Sequence, residues 1–268
     1  MGTGLEGQVA IVTGGGQGIG RGICLCLAED GADVVVVDIE PERAEKTAAE
    51  VVAVGRKAMA IRTDVTKPLE VEAMVKAVLD RFGHIDILVN NAGVGGAQDW
   101  QGISAPRLAD WDACYEVNLK AVVICSEAVA PHMMERRSGK IVNISSIAGR
   151  RGGAGIPQYS ASKAACISYT QSLAVMMAPY EVRVNAICPG IIWTPLWAQL
   201  AERIKSANPA LANVEGQDVM LRSVEASMPL KRPQTPEDIG YAVCFFVSDR
   251  AKNITGQALN VDGGSAMN

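Results

Sequence analysis

The chain has 268 residues, 49% of them hydrophobic, and a net charge of -4 spread along its length. That composition supplies a substantial buried core and excludes a disordered chain, while the interspersed charges leave no electrostatic footprint for nucleic acid. The 7 cysteines include no Cys-x-x-Cys pair and lie mostly in apolar segments, so they read as reduced core residues of a cytoplasmic protein, not as a disulfide frame or metal site. The opening MGTGLEGQVAIVTG has no basic region followed by a long apolar stretch, and no apolar run approaches membrane-spanning length.

Short apolar, β-branched runs alternate with helical stretches from end to end. In chain order the strand candidates are 8–14 (QVAIVTG), 33–38 (DVVVVD), 57–65 (KAMAIRTDV), 85–93 (IDILVNNAG), 139–146 (GKIVNISS), 182–190 (VRVNAICPG) and 258–264 (ALNVDGG). Most are continuously apolar, as strands buried on both faces should be. Between them, PERAEKTAAEVVAVG, PLEVEAMVKAVLDRFG and PEDIGYAVCFFVSD each open with proline and acidic residues, which suit the first turn of a helix. The pattern predicts an α/β fold: a doubly wound (Rossmann) parallel seven-stranded sheet, helices on both faces, in a single domain spanning 1–268. Residues 191–235 contain no clear strand and are rich in Trp, Leu, Met and Pro, so they are expected to form a substrate lid beside the crevice.

The first strand candidate runs directly into TGGGQGIG, residues 13–20, and then a helix. Gly14, Gly18 and Gly20 would let backbone N–H groups approach a pyrophosphate at the helix N-terminus. Taken alone, such a turn can also be purely structural. Asp38 closes the second strand, where its carboxylate would accept hydrogen bonds from the adenosine ribose hydroxyls and repel a 2'-phosphate. Ile39 follows it instead of a compensating arginine, so the expected cofactor is NAD. A solvated strand-end aspartate is the competing interpretation of Asp38.

Further along lie NNAG (90–93), Asn118, the Ser146 of NISS, Tyr159-x-x-x-Lys163 and the dipeptide Pro189-Gly190. In this order and spacing the chain resembles the short-chain dehydrogenases/reductases over essentially its whole length. The resemblance implies cofactor contacts from Gly14, Gln17, Gly18, Ile19, Gly20, Asp38, Asp64, Val65, Asn91, Ala92, Gly93, Tyr159, Lys163, Pro189, Gly190, Ile192 and Thr194. It implies catalytic roles for Asn118, Ser146, Tyr159 and Lys163, with Asn118 helping to hold a proton-relay water, and a homotetramer as the assembly.

Tyrosine with a pKa near 10 is a weak base at neutral pH, so Lys163, one helical turn along, is expected to favour the phenolate. Ser146 would donate a hydrogen bond to the substrate oxygen. The expected activity is hydride transfer between NAD(H) and a secondary alcohol or ketone. Two alternatives stay open: a reductase of 3-oxoacyl thioesters carried on an acyl carrier protein or coenzyme A, and an NAD-binding sensor or scaffold. For the substrate the candidates are Trp100, Arg151, Trp193 and Trp197, with Asp99, Leu196 and Leu200 close by. The apolar lid residues would equally pack against the body or a neighbouring subunit, and Arg150 and Arg151 would either attract an anionic substrate or be solvated. His84 and His132 lack a partner set for a hydrolase or metal site, and the partner is a small molecule, with no nucleic acid and no membrane.

Overall fold

The computed structural model describes residues 4–267 apart from 103, 104 and 154; residues 1–3, which belong to the N-terminal stretch considered above, lie outside them. All seven expected strands form: β1 (Val9–Thr13), β2 (Asp33–Asp38), β3 (Ala58–Arg62), β4 (Ile87–Asn90), β5 (Gly139–Ile144), β6 (Val182–Pro189) and β7 (Ala258–Val261). They make one parallel sheet in the order β3-β2-β1-β4-β5-β6-β7. The chain winds outward from β1 to β3 and then returns to place β4 against the other side of β1. That reversal opens a crevice beyond the carboxyl ends of β1 and β4.

Side-chain alternation splits the core into two layers. Ala10, Val12, Val34 and Val36 face one layer with Ile23, Leu27, Ile239 and Val243. These last four belong to helices α1 (Gly18–Glu29) and α9 (Pro236–Val247). Val9, Ile11, Val35 and Val37 face the other layer with Val71, Met74, Cys125 and Met133. Helices α3 (Pro68–Phe82), α5 (Ala121–Arg136) and α6 (Pro157–Met177) cover that face. The edge strand β3 is only half-buried, whereas β1 and β2 are buried along their full length.

Helix α2 (Pro41–Ala53), α3 and α9 all begin at the expected prolines, and α9 adds a capping box between Thr235 and Asp238. The strands end earlier than the apolar runs do: NNAG leaves β4 after Asn90, and Asp64 lies beyond β3. These ends are where the chain peels away from the sheet to line the crevice. Residues 191–235 fold mainly into two helices, α7 (Pro195–Ala207) and α8 (Gly216–Ser227). Among the described residues no helix is long and apolar enough to cross a membrane. All 7 cysteines are free and buried.

Candidate active site

A cleft of about 850 Å³ occupies the crevice. Every residue expected to contact the cofactor lines it, from the glycine turn through Asp38, Asp64, Val65 and Asn91 to Pro189 and Thr194. The glycine turn is built of backbone against backbone. Gly14 has φ +62°, and a Cβ placed there would lie 2.9 Å from the Ala92 Cα. One on Gly20 would lie 2.0 Å from the Gly14 carbonyl oxygen. Asn91, just past β4, fixes this geometry by donating from Nδ2 to the carbonyls of Thr13 and Gly14, 3.0 Å each. Helix α1 starts at the turn with no side-chain cap on its first N–H groups and no acid in its first turn. Its N-terminus therefore presents uncompensated positive partial charge to the cleft.

Asp38 is buried, and its carboxylate accepts from the Gly16 N–H at 2.9 Å and the Glu40 N–H at 3.1 Å. It is held at the cleft wall instead of being a loose strand-end charge. Arg43 on α2 lines the same end, a cation that inspection of the residue after Asp38 passes over. Asp64 accepts from the N–H and hydroxyl of Thr66, and these bonds hold its carboxyl below the usual range against the opposing effect of burial.

At the other end Ser146, Tyr159 and Lys163 come together on the cleft wall. Ser146 follows β5, and its hydroxyl accepts from the Ala148 N–H at 3.1 Å, capping the turn Ile147–Gly149. Lys163 is almost fully buried, and its Nζ donates to the Ile144 carbonyl at 2.8 Å while lying 5.7 Å from the centre of the Tyr159 ring. Burial pushes Tyr159 up to about 12, opposed by the hydrogen bond with Ser146, and burial also lowers the pKa of Lys163. Loss of hydration disfavours the phenolate, and the Ser146 hydrogen bond opposes it only in part.

Asn118 sits apart from the cleft surface. It lies in a single π turn, Glu116–Lys120, between helix α4 (Leu108–Tyr115) and α5. Its Oδ1 accepts from the Val94 N–H at 2.8 Å, and its Nδ2 donates to the Val94 carbonyl at 2.9 Å and to the Ser162 hydroxyl at 3.0 Å. Ser162 in turn donates to the Tyr159 carbonyl at 2.8 Å. The side chain thus ties the loop after β4 to the helix that carries Tyr159.

The substrate candidates separate. Trp100, Arg151 and Trp197 line the cleft, as do Asp99, Leu196 and Leu200. Trp193 does not: it packs with Ile191, Met220, Val224 and Met228 and against Gly216, joining α7 to α8. Its side chain is consumed by the packing between the two helices. Arg150 is neither solvated nor turned to the cleft, because it donates to the Asn260 side chain and to the Ala258 carbonyl on β7. Arg151 stays exposed and donates to the Ser265 carbonyl at 3.1 Å. His84 and His132 serve the fold, His84 Nε2 lying 3.0 Å from the Gly7 carbonyl and His132 Nε2 accepting from the Ile85 N–H at 3.2 Å. Among the described residues no group of three or more His, Cys, Asp or Glu is placed to hold a metal.

Comparison with known proteins decides the family: residues 8–205 match that of the short chain dehydrogenases. The chain belongs to the short-chain dehydrogenase family. It is similar to the (2S)-[(R)-hydroxy(phenyl)methyl]succinyl-CoA dehydrogenase subunit of Thauera aromatica, 37% identical with 98% of each chain covered. It is also similar to a 3-oxoacyl-[acyl-carrier-protein] reductase of Synechocystis, 38% identical with 99% of each covered. Among solved structures, NAD+-bound xylitol dehydrogenase superposes with a TM-score of 0.88 at 32% identity, covering 97% of this chain and 99% of that one. As a short-chain dehydrogenase the protein is an oxidoreductase, and the doubly wound sheet is that of its structural neighbours.

Sequence reasoning passed over Gln158, Gln199 and Arg203. Gln158 is buried beside Tyr159, and its Nε2 donates to the Gly95 carbonyl at 2.8 Å. Leu196, Gln199, Leu200 and Arg203 recur at three- and four-residue spacing on α7. That spacing puts them on one helical face and was readable in the chain.

Proposed function

We propose that this short-chain dehydrogenase interconverts a secondary alcohol and its ketone with NAD(H), using Tyr159 as the acid and base. The reading is carried by the convergence of Ser146, Tyr159 and Lys163 at one end of a cleft whose other end presents the Asp38 carboxylate. The residues fit a dinucleotide: the glycine turn leaves a cradle that a Cβ would fill, at an uncapped helix N-terminus that attracts a pyrophosphate. Nicotinamide, when bound, supplies the hydride acceptor or donor. Gly14, Gln17, Gly18, Ile19 and Gly20 would hold the pyrophosphate, Asp38 the adenosine ribose, and Ile192 and Thr194 the nicotinamide side.

Ser146 donates a hydrogen bond to the substrate oxygen and so favours the charge that develops on it. Tyr159, protonated at neutral pH, gives its proton to that oxygen as a ketone is reduced and accepts it as an alcohol is oxidised. Lys163 adds positive charge next to the ring, and Asn118 positions the loop and helix that frame the reacting atoms. Residues 191–235 serve as the lid over the substrate end. NAD is preferred because Asp38 opposes a 2'-phosphate, although Arg43 stands at the same end.

The test is an assay at 340 nm with NAD and NADP against secondary alcohols, polyols and ketones. Tyr159→Phe should lower kcat by about a thousandfold with cofactor affinity kept; near-wild-type turnover would sink the assignment. Asp38→Ala should move the kcat/KM ratio toward NADP.

Similarity to the Synechocystis 3-oxoacyl reductase, together with the exposed Arg151 at the cleft, favours a second reading, reduction of a 3-oxoacyl thioester. Preferred turnover of acetoacetyl-coenzyme A over simple ketones, abolished at high salt, would select it. Cofactor binding without turnover of any of these would point to a sensor. We also place the protein in the cytoplasm as a homotetramer whose contacts include the outer face of α5 and α6. There Leu119, Val123, Ile124, Ala165 and Tyr169 line an open apolar groove and Val175 and Met176 are exposed. Light scattering on the purified protein measures the assembly directly.

A further inference from the structure

The indole of Trp100 is clamped from three sides. Below it, the backbone of Gly95 and Gly96 comes so close that a Cβ on either would lie 2.5 Å from the indole Cζ2 or 2.6 Å from the tryptophan's own Cβ. On the lid side, its Nε1 donates to Gln199 Oε1 at 3.0 Å, while Arg203 donates from Nη1 to the Trp100 carbonyl at 2.9 Å and stacks 5.7 Å from the ring centre. Both Trp100 and Arg203 are buried, at 4% and 7% exposure. A guanidinium that deeply buried gives up most of its hydration, so its contacts here tie it firmly to this geometry.

The clamp also reaches the reacting residues. Gly95 is held by Gln158, the neighbour of Tyr159, and Val94 is held by Asn118. Trp100, Leu196 and Gln199 line the cleft together. Resting on the alcohol and ketone reading above, we propose that Trp100 is the specificity-determining residue of this site: its indole forms the end wall of the substrate half and admits only substrates with a short substituent on that side of the carbonyl. Because Gln199 and Arg203 grip the same residue, the loop after β4 and helix α7 open and close as one piece.

The test uses NADH and methyl ketones from 2-butanone to 2-decanone with the full-length wild type, Trp100→Ala and Trp100→Phe. In the wild type kcat/KM should fall with chain length, and Trp100→Ala should raise the long-to-short ratio roughly tenfold or more, with Trp100→Phe in between. A wild type indifferent to length, or an unchanged ratio in a Trp100→Ala protein that melts normally and binds NADH, would overturn the wall. Hydrogen exchange provides a readout that needs no turnover. Gln199→Ala should speed exchange in 95–102 and in 195–207 together, and an effect confined to 195–207 would overturn the coupling. If Trp100→Ala does not fold, Trp100→Leu takes its place in the ketone series. Failure of the wild type on every ketone would sink the proposed activity, while the exchange result still decides the clamp.

Discussion

At the cofactor end of the cleft the glycine turn presents backbone, with Gly14 and Gly20 packed so closely against the main chain that no side chain fits. The substrate half presents side chains, contributed by Trp100, Leu196, Trp197 and Leu200 from the loop after β4 and from α7. A surface made of backbone demands glycine at fixed positions, since any Cβ would meet another main chain. A surface made of side chains can be rebuilt with many residues of similar volume. The first half is therefore constrained in residue identity and the second in shape, and Tyr159 and Ser146 sit at their junction with Asn118 buried behind them.

The strongest break of this contrast is Gly20→Ala. The added methyl would sit 2.0 Å from the Gly14 carbonyl and 2.5 Å from Asn91 Nδ2. The glycine turn has to move, and NADH affinity should fall by about a hundredfold or more, roughly 3 kcal/mol, measured by fluorescence titration. Behind the junction, Asn118→Ala removes one side chain that satisfies both polar groups of Val94 and the Ser162 hydroxyl. Leaving buried groups unpaired should cost about 2–3 kcal/mol in urea unfolding and lower kcat as the loop loosens. Wild-type stability in that variant would show the π turn to be incidental.

The same contrast explains what the chain discloses before it is folded. The β1 turn and the Tyr159-x-x-x-Lys163 spacing are legible because backbone approach and one helical turn each impose residue type or spacing. Strand identities were readable for a related reason: burial on both faces makes DVVVVD continuously apolar. Trp193 shows where legibility stops. It shares the composition of Trp197 and lies four residues before it, and both rings pack against the Ile191, Met220, Val224 and Met228 cluster, but only Trp197 also lines the cleft. Aromatic content says that a surface is covered, not which surface. The pKa of Tyr159 was unreadable because it is set by how deeply folding buries the phenol.

The two tryptophans offer a way to sharpen the substrate half. Trp197→Ala should raise KM about tenfold, near 1.4 kcal/mol, for a ketone the enzyme reduces, because a cleft wall is lost. Trp193→Ala should leave KM unchanged and lower the melting temperature, because its packing joins α7 to α8. Equal KM effects from both would mean that α7 responds as a unit to loss of either ring.

The smallest expected effect lies at the junction and separates burial from charge as the control on Tyr159. Its phenol is raised by burial to about 12 from the ordinary 10. The folded protein thus keeps the proton that the unfolded chain releases near pH 10. The stability contributed by this difference is complete below pH 10 and is lost as the pH rises toward 12. Between pH 9 and 11, wild-type unfolding free energy should fall by about 1 kcal/mol more than that of Tyr159→Phe. If Lys163 instead dominated, the folded phenol would ionise before the unfolded one, and the wild type would gain on the variant over the same range. Urea unfolding of both proteins at the two pH values measures the sign, and the sign alone says which influence governs the proton that the site transfers.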